Sequence, residues 1–268
     1  MLMAFKKMIG YIKYLILCVV YNVRSSVSNR KSFIIQTVTM FINNFVFILF
    51  WLVIFDNKGG SINGTVLTDV IYLWSIPTIG YGICFFCFGG VDVLGQDISE
   101  GNMDIYLTKP KHSLISQLTS RSILSAMGDL LFGAFCGLIA VNFNPLKFIA
   151  VLVLGVVSGL ILVCVMTSMQ LLSFWLGDMT QVTRRYTHSL IITLTLYPEN
   201  MFPKLIKIAM YTVIPAGYIA HMPIKIVTGN LPLLGVLLLV MVVFVAITLV
   251  LYNKGLKKYE SGNSVTRR

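Results

Sequence analysis

The chain has 268 residues, of which 57% are hydrophobic and only 12% are charged, with a mean hydropathy of +0.84. Soluble domains carry roughly 25% charged residues, so this chain lacks the polar cover a water-exposed surface needs. Its net charge of +11 is then read as loops beside anionic lipid, and not as a surface for nucleic acid.

Crossing the hydrocarbon takes about 20 apolar residues per helix. The length therefore allows five or six spans in a single transmembrane domain over residues 1–268, with no large soluble domain. Residues 1–32 place Phe5, Ile9, Ile12, Ile16 and Val19 at helical spacing, with Lys6, Lys7 and Lys13 between them. That pattern predicts an interfacial helix on the cytoplasmic leaflet. The first span is expected at 33–55 and the second at 66–88. A charged segment, 92–117, follows on the cytoplasmic side. The third span is expected at 122–141 and the fourth at 146–176, long enough to tilt. The fifth, at 179–197, is preceded by Asp178 and carries Arg184, Arg185 and His188 near its start.

Residues 197–230 are apolar but cut by Pro198, Pro203, Pro215 and Pro223. Each proline removes a backbone donor and resists a continuous helix. Short broken helices dipping into the outer leaflet are expected there; a kinked seventh span is the alternative. The last span is expected at 231–252, before a basic tail at 253–268. Lys109, Lys111, Arg121, Arg184, Arg185, the lysines and arginines of the first 32 residues and those of the tail all fall on one side of this layout. Lys58, Lys147, Lys204, Lys207 and Lys225 fall on the other. The bias puts both termini in the cytoplasm. The expected fold is an all-α integral membrane protein: six transmembrane helices, an N-terminal interfacial helix and broken outer helices before the last span.

No phosphate-binding G-x-x-x-x-G-K-[ST], nucleophile G-x-S-x-G or zinc-binding H-E-x-x-H occurs, and His112, His188 and His221 lie far apart. No cofactor, metal or catalytic residue is expected on this chain. Gly133 with Gly137, and Gly155 with Gly159, form small-residue patterns that serve either packing within the chain or a subunit interface. Asp129 falls inside the third span, where an ionisable group costs roughly 2.5–3.5 kcal/mol unless paired or wetted. Arg184 or Arg185 is its candidate partner, as a gate or a helix-coupling pair; a carboxylate reaching interfacial water is the alternative.

The few acids also cluster: Asp92, Asp97, Glu100 and Asp104 lie within one short stretch. On a helix, Asp97, Glu100 and Asp104 share one face, and Ile98 and Ile105 another. Such an acidic strip can register a basic partner; a plain solvated loop has the same composition.

Three stretches carry a resemblance. ISEGNMDIYLTKP (98–110), LYPENMFPKLIKIAMYTVIPAGYIAHMP (196–223) and GLKKYESGN (255–263), in this order and spacing, are similar to segments of the permease subunits of bacterial type-2 ATP-binding-cassette exporters, in the branch of about 260 residues whose ATPase is a separate chain. The resemblance implies two permeases, identical or related, forming the pathway in the bacterial cytoplasmic membrane. It implies two ATPase subunits beneath them, with ATP and Mg bound on those partners. It assigns coupling to Asp97, Glu100, Gly101, Asp104, Leu107 and Pro110, and an outer gate to Tyr197, Pro198, Pro203, Pro215 and Pro223. The rival readings are an ATP-independent channel or secondary transporter, and a lipid-modifying membrane enzyme.

Overall fold

The computed structural model describes residues 2–26, 30–57, 60–62 and 64–259. Residues 260–268 of the expected tail lie outside them. Helices α1 (Leu2–Ser26) and α2 (Arg30–Asn57) open the chain. A two-residue hairpin, β1 (Ser61–Ile62) against β2 (Thr65–Val66), leads into α3 (Leu67–Cys87). A 3-10 turn over Gly89–Val93 precedes three short helices: α4 (Leu94–Ser99), α5 (Asp104–Leu107) and α6 (Ser113–Leu118). Helices α7 (Ala126–Ala140) and α8 (Pro145–Leu171) follow, with α9 (Ser173–Leu176) as a short continuation. Next, α10 (Thr180–Tyr186), a π-helical stretch over Thr187–Ile192, and α11 (Thr193–Leu196) make one interrupted helix. The chain ends with α12 (Lys204–Thr212), a π-helical stretch over Gly217–His221 joined to α13 (Met222–Val227), and α14 (Leu233–Leu256).

Among the described residues, four helices are long and apolar enough to cross a membrane: α2, α3, α8 with α9, and α14. The expected third span is shorter. It begins at Ala126, because Ile123 spends its N–H on the Phe85 carbonyl outside any helix. The expected fifth span is a 17-residue stretch, 180–196, loosened by its π turn. The proline-rich region breaks as expected: α12 and the 217–227 helix meet at 85°. Pro215 lies in that break. Pro203 falls at a helix start, where a missing N–H costs least, and Pro223 lies inside the 217–227 helix, just past its π-helical stretch. Pro223 also deprives the Ile219 carbonyl of its helical donor, and the Ser158 hydroxyl of α8 donates to that oxygen instead.

Helix α3 is the central column, packed on α7 and α8, while α14 covers α8 and α2 covers α7. Lipid supplies little hydrophobic push between helices, so close backbone approach is what holds them. The glycine pairs provide it within the chain. Gly133 and Gly137 face Ile79 and Ser75 of α3, and Gly155 and Gly159 face Ile79 and Gly80. A β-carbon on Gly159 would stand 2.8 Å from the Gly80 carbonyl oxygen.

Two ends result. The base carries residues 89–125 and the C-terminal end of α14. The crown carries the hairpin and residues 198–232, joined by Asn200 Nδ2 donating to Thr65 Oγ1 at 3.4 Å.

Candidate functional site

A cavity of about 330 Å³ opens between α2, α3, α7 and the 180–196 stretch. Leu73, Trp74, Pro77, Tyr81 and Phe85 of α3 form one wall, and Met40 and Asn44 of α2 another. Asp129, Asp92, Arg184 and His188 supply its ionisable groups. Asp129 is 7% exposed and sits in the first turn of α7, where helix N–H groups favour a negative charge. Asn44 Nδ2 donates to its Oδ1 at 2.7 Å. That bond accounts for a buried asparagine in the middle of an apolar helix.

Asp129 therefore does not pair with Arg184 or Arg185. Arg184 forks onto Asp92, Nε to Oδ1 at 2.9 Å and Nη2 to Oδ2 at 2.7 Å. The cause is packing: α10 lies on the 89–93 turn and meets Asp92, whereas α2 lies on α7 and meets Asp129. Arg185 is exposed. Of the expected trio, Asp129 and Arg184 border the same cavity with different partners, and Arg185 is not among its lining residues.

Below the cavity, the acidic strip expected from helical spacing is absent. Gly101, at φ +76°, ends α4 in a left-handed conformation that glycine adopts freely, and the chain turns before α5. Asp97 is 5% exposed and accepts from Gln117 Nε2 at 2.9 Å; the same nitrogen reaches the Gly90 carbonyl. Asp97 braces the segment from inside and presents no charge outward. Ile98 is core and Ile105 is exposed, so they share no face. The surface presented is Glu100, Ile105, Leu107, Lys109 and Pro110. Gln96 and Asn102 donate to Glu100 at 2.7 and 2.9 Å and hold it in place. Asp104 is half-buried beside Tyr259.

Both ends of the chain grip this segment. From α1, the Tyr14 hydroxyl donates to Ser116, Asn22 Nδ2 donates to the Thr119 carbonyl, and Lys111 lies over the Tyr11 ring. After α14, the Tyr259 hydroxyl donates to the Gly101 carbonyl at 2.6 Å, and its ring meets Phe174 edge-on. Ser113 and Tyr252 share a hydroxyl–hydroxyl hydrogen bond. Burial, and then the neighbouring Asp104 carboxylate, push the Tyr259 phenol up to about 12.

At the crown, Trp51 packs edge-on against Tyr197. Pro198 starts the 3-10 turn that holds Glu199, which pairs with Lys225 Nζ at 2.6 Å and accepts from the Tyr211 hydroxyl. His221, 4% exposed, has its Nε2 3.1 Å from the Leu194 carbonyl. The sequence alone assigns no role to Asn44, Gln117 or Tyr252, and marks Tyr259 only as part of the GLKKYESGN stretch. The polar Asn43-Asn44 inside an apolar run was the visible signal for the first; nothing in the spacing announced the others.

A family model for the ABC-2 family transporter protein matches residues 41–263. No curated protein and no solved structure matches the chain. The matched range takes in the cavity lining except Met40, the 89–118 segment and the crown. The chain belongs to the ABC-2 transporter family: it is a multi-pass membrane permease of an ABC transporter, a transport component and not itself a catalyst.

Proposed function

We propose that this permease works as an exporter in the bacterial cytoplasmic membrane. It pairs with a second permease, identical or related, and draws its energy from ATPase subunits that bind ATP and Mg and dock on residues 99–110. Both termini then lie in the cytoplasm, and the crown with Tyr197, Pro198, Pro203, Pro215 and Pro223 forms the outer gate. The observation that carries this reading is the base segment. It presents Glu100 and Ile105 outward, and the base around it is tied to α1, to Arg184 of span five and to the end of the last helix. A push on 99–110 reaches span five through the Asp92–Arg184 fork. It reaches the last helix through Tyr252 and Tyr259.

Co-expression of the permease with its operon-neighbour ATPase, affinity purification and reconstitution test this. The wild type should retain the ATPase and transport only with ATP. Glu100→Lys with Ile105→Glu should lose the ATPase while inserting normally. Wild-type retention of the ATPase by that double variant, with normal coupled transport, would remove the docking role. Flux without ATP would favour a channel.

A further inference from the structure

We infer that the cavity beside Asp129 takes a lipophilic cation; the inference rests on that cavity being part of the transport path. The charges decide the sign. Arg184 is already neutralised by its two-pronged contact with Asp92. Among the described residues Asp129 has only the neutral Asn44 as side-chain partner. Of the wall's ionisable groups (Asp92, Asp129, Arg184 and the exposed His188), Asp129 is then the carboxylate with no ion-pair partner among the described residues, in a site whose remaining lining is largely apolar.

Two further features favour the same sign. Tyr81, Phe85 and Trp74 place aromatic rings in the wall, and ring faces attract cations, more so when water is excluded. Pro77, inside α3, takes away the N–H that would bond the Leu73 carbonyl, and both residues border the cavity. At Pro223 the equivalent orphan carbonyl is met by Ser158. Among the described residues no side chain donates to the one at Leu73, on the part of α3 that lines the cavity. The fitting molecule is thus a cation carried on apolar or aromatic bulk, and not a bare alkyl ammonium. An anionic amphiphile would have to displace Asp92 from Arg184 and sit near Asp129.

The test uses two probes of matched shape and opposite charge, tetraphenylphosphonium and tetraphenylborate. Binding is measured on the permease–ATPase complex in nanodiscs, with empty nanodiscs subtracted for partition into lipid. Wild type should bind the phosphonium and discriminate against the borate. Asp129→Asn should weaken phosphonium binding by about tenfold or more, the scale of one lost charged contact. Asp129→Glu should keep it. Arg184→Gln, which frees the Asp92 carboxylate, should widen the preference and provides a second reading if Asp129→Asn folds poorly. Equal binding of both probes by wild type, or no change in Asp129→Asn and Arg184→Gln, would overturn the inference. Retained ATPase and ATP hydrolysis in the same samples would show that the transport reading survives such a failure. Loss of the ATPase alongside an intact charge preference would sink the transport reading alone.

Discussion

The Tyr259 hydroxyl stands 2.6 Å from the Gly101 carbonyl oxygen, so the end of the last helix is fastened to the turn between α4 and α5. Gly101 is the hinge of the exposed segment, and its carbonyl is fixed by a residue 158 positions away. Tyr259→Phe keeps the ring against Phe174 and removes this bond together with the hydroxyl's contact with Asp104. The expected loss of stability is about 1 kcal/mol. The coupled readout should move further: ATP hydrolysis should continue with less transport per ATP. The bond needs a protonated phenol, whose value rises from 10 to about 12. Its contribution is therefore complete below pH 10 and lost as pH climbs through about 12. Thermal unfolding of wild type and Tyr259→Phe should converge only in that alkaline window.

The Asp92–Arg184 fork predicts a specific rescue. Asp92→Arg with Arg184→Asp should recover transport that either single change removes. A swap of Asp129 with Arg184 should recover none, because Asp129 is held by Asn44. The pair is partly exposed, at 36% and 24%, so its coupling energy in a double-mutant cycle should be about 1 kcal/mol. A rescue by the Asp129 swap would show that the two groups meet during the cycle.

Glycine packing gives a contrast within one fold. Gly159→Ala drives a β-carbon into the Gly80 carbonyl, with backbone on both sides, and should cost about 1–3 kcal/mol. Gly235→Ala, on α14 with open space around it, should be neutral or slightly stabilising. Unfolding temperature in detergent and membrane yield distinguish the two.

The crown should respond to acid. Burial alone would raise the Glu199 carboxyl, but Lys225, aided by His221 and Tyr211, holds it below the ordinary glutamate value. A depressed carboxylate contributes stability above its ordinary value and loses it as pH falls through its lowered one. The Lys225 end is half-exposed, so the contribution is about 1 kcal/mol at most. Glu199→Gln should be less stable than wild type at pH 7, and the gap should close as pH falls through the lowered Glu199 value.

Composition and hydropathy were enough to establish a multi-pass helical membrane protein, because twenty-residue apolar runs have no other solvent. Prolines were enough to break the 197–230 region, since a missing N–H acts locally. The motif order was enough to suggest the permease family. What spacing could not decide was the partner of each charge. Asp97, Glu100 and Asp104 fit one helical face only if the helix continues, and a single left-handed glycine turned it aside and buried Asp97 against Gln117. Asp129 could have met Arg184 by sequence alone. It meets Asn44 because α2 lies on α7 while α10 lies on the 89–93 turn. Periodicity is a property of one element. Which carboxylate a guanidinium reaches, and which one stays without a countercharge in a cavity, depends on how elements far apart in the chain are laid against each other.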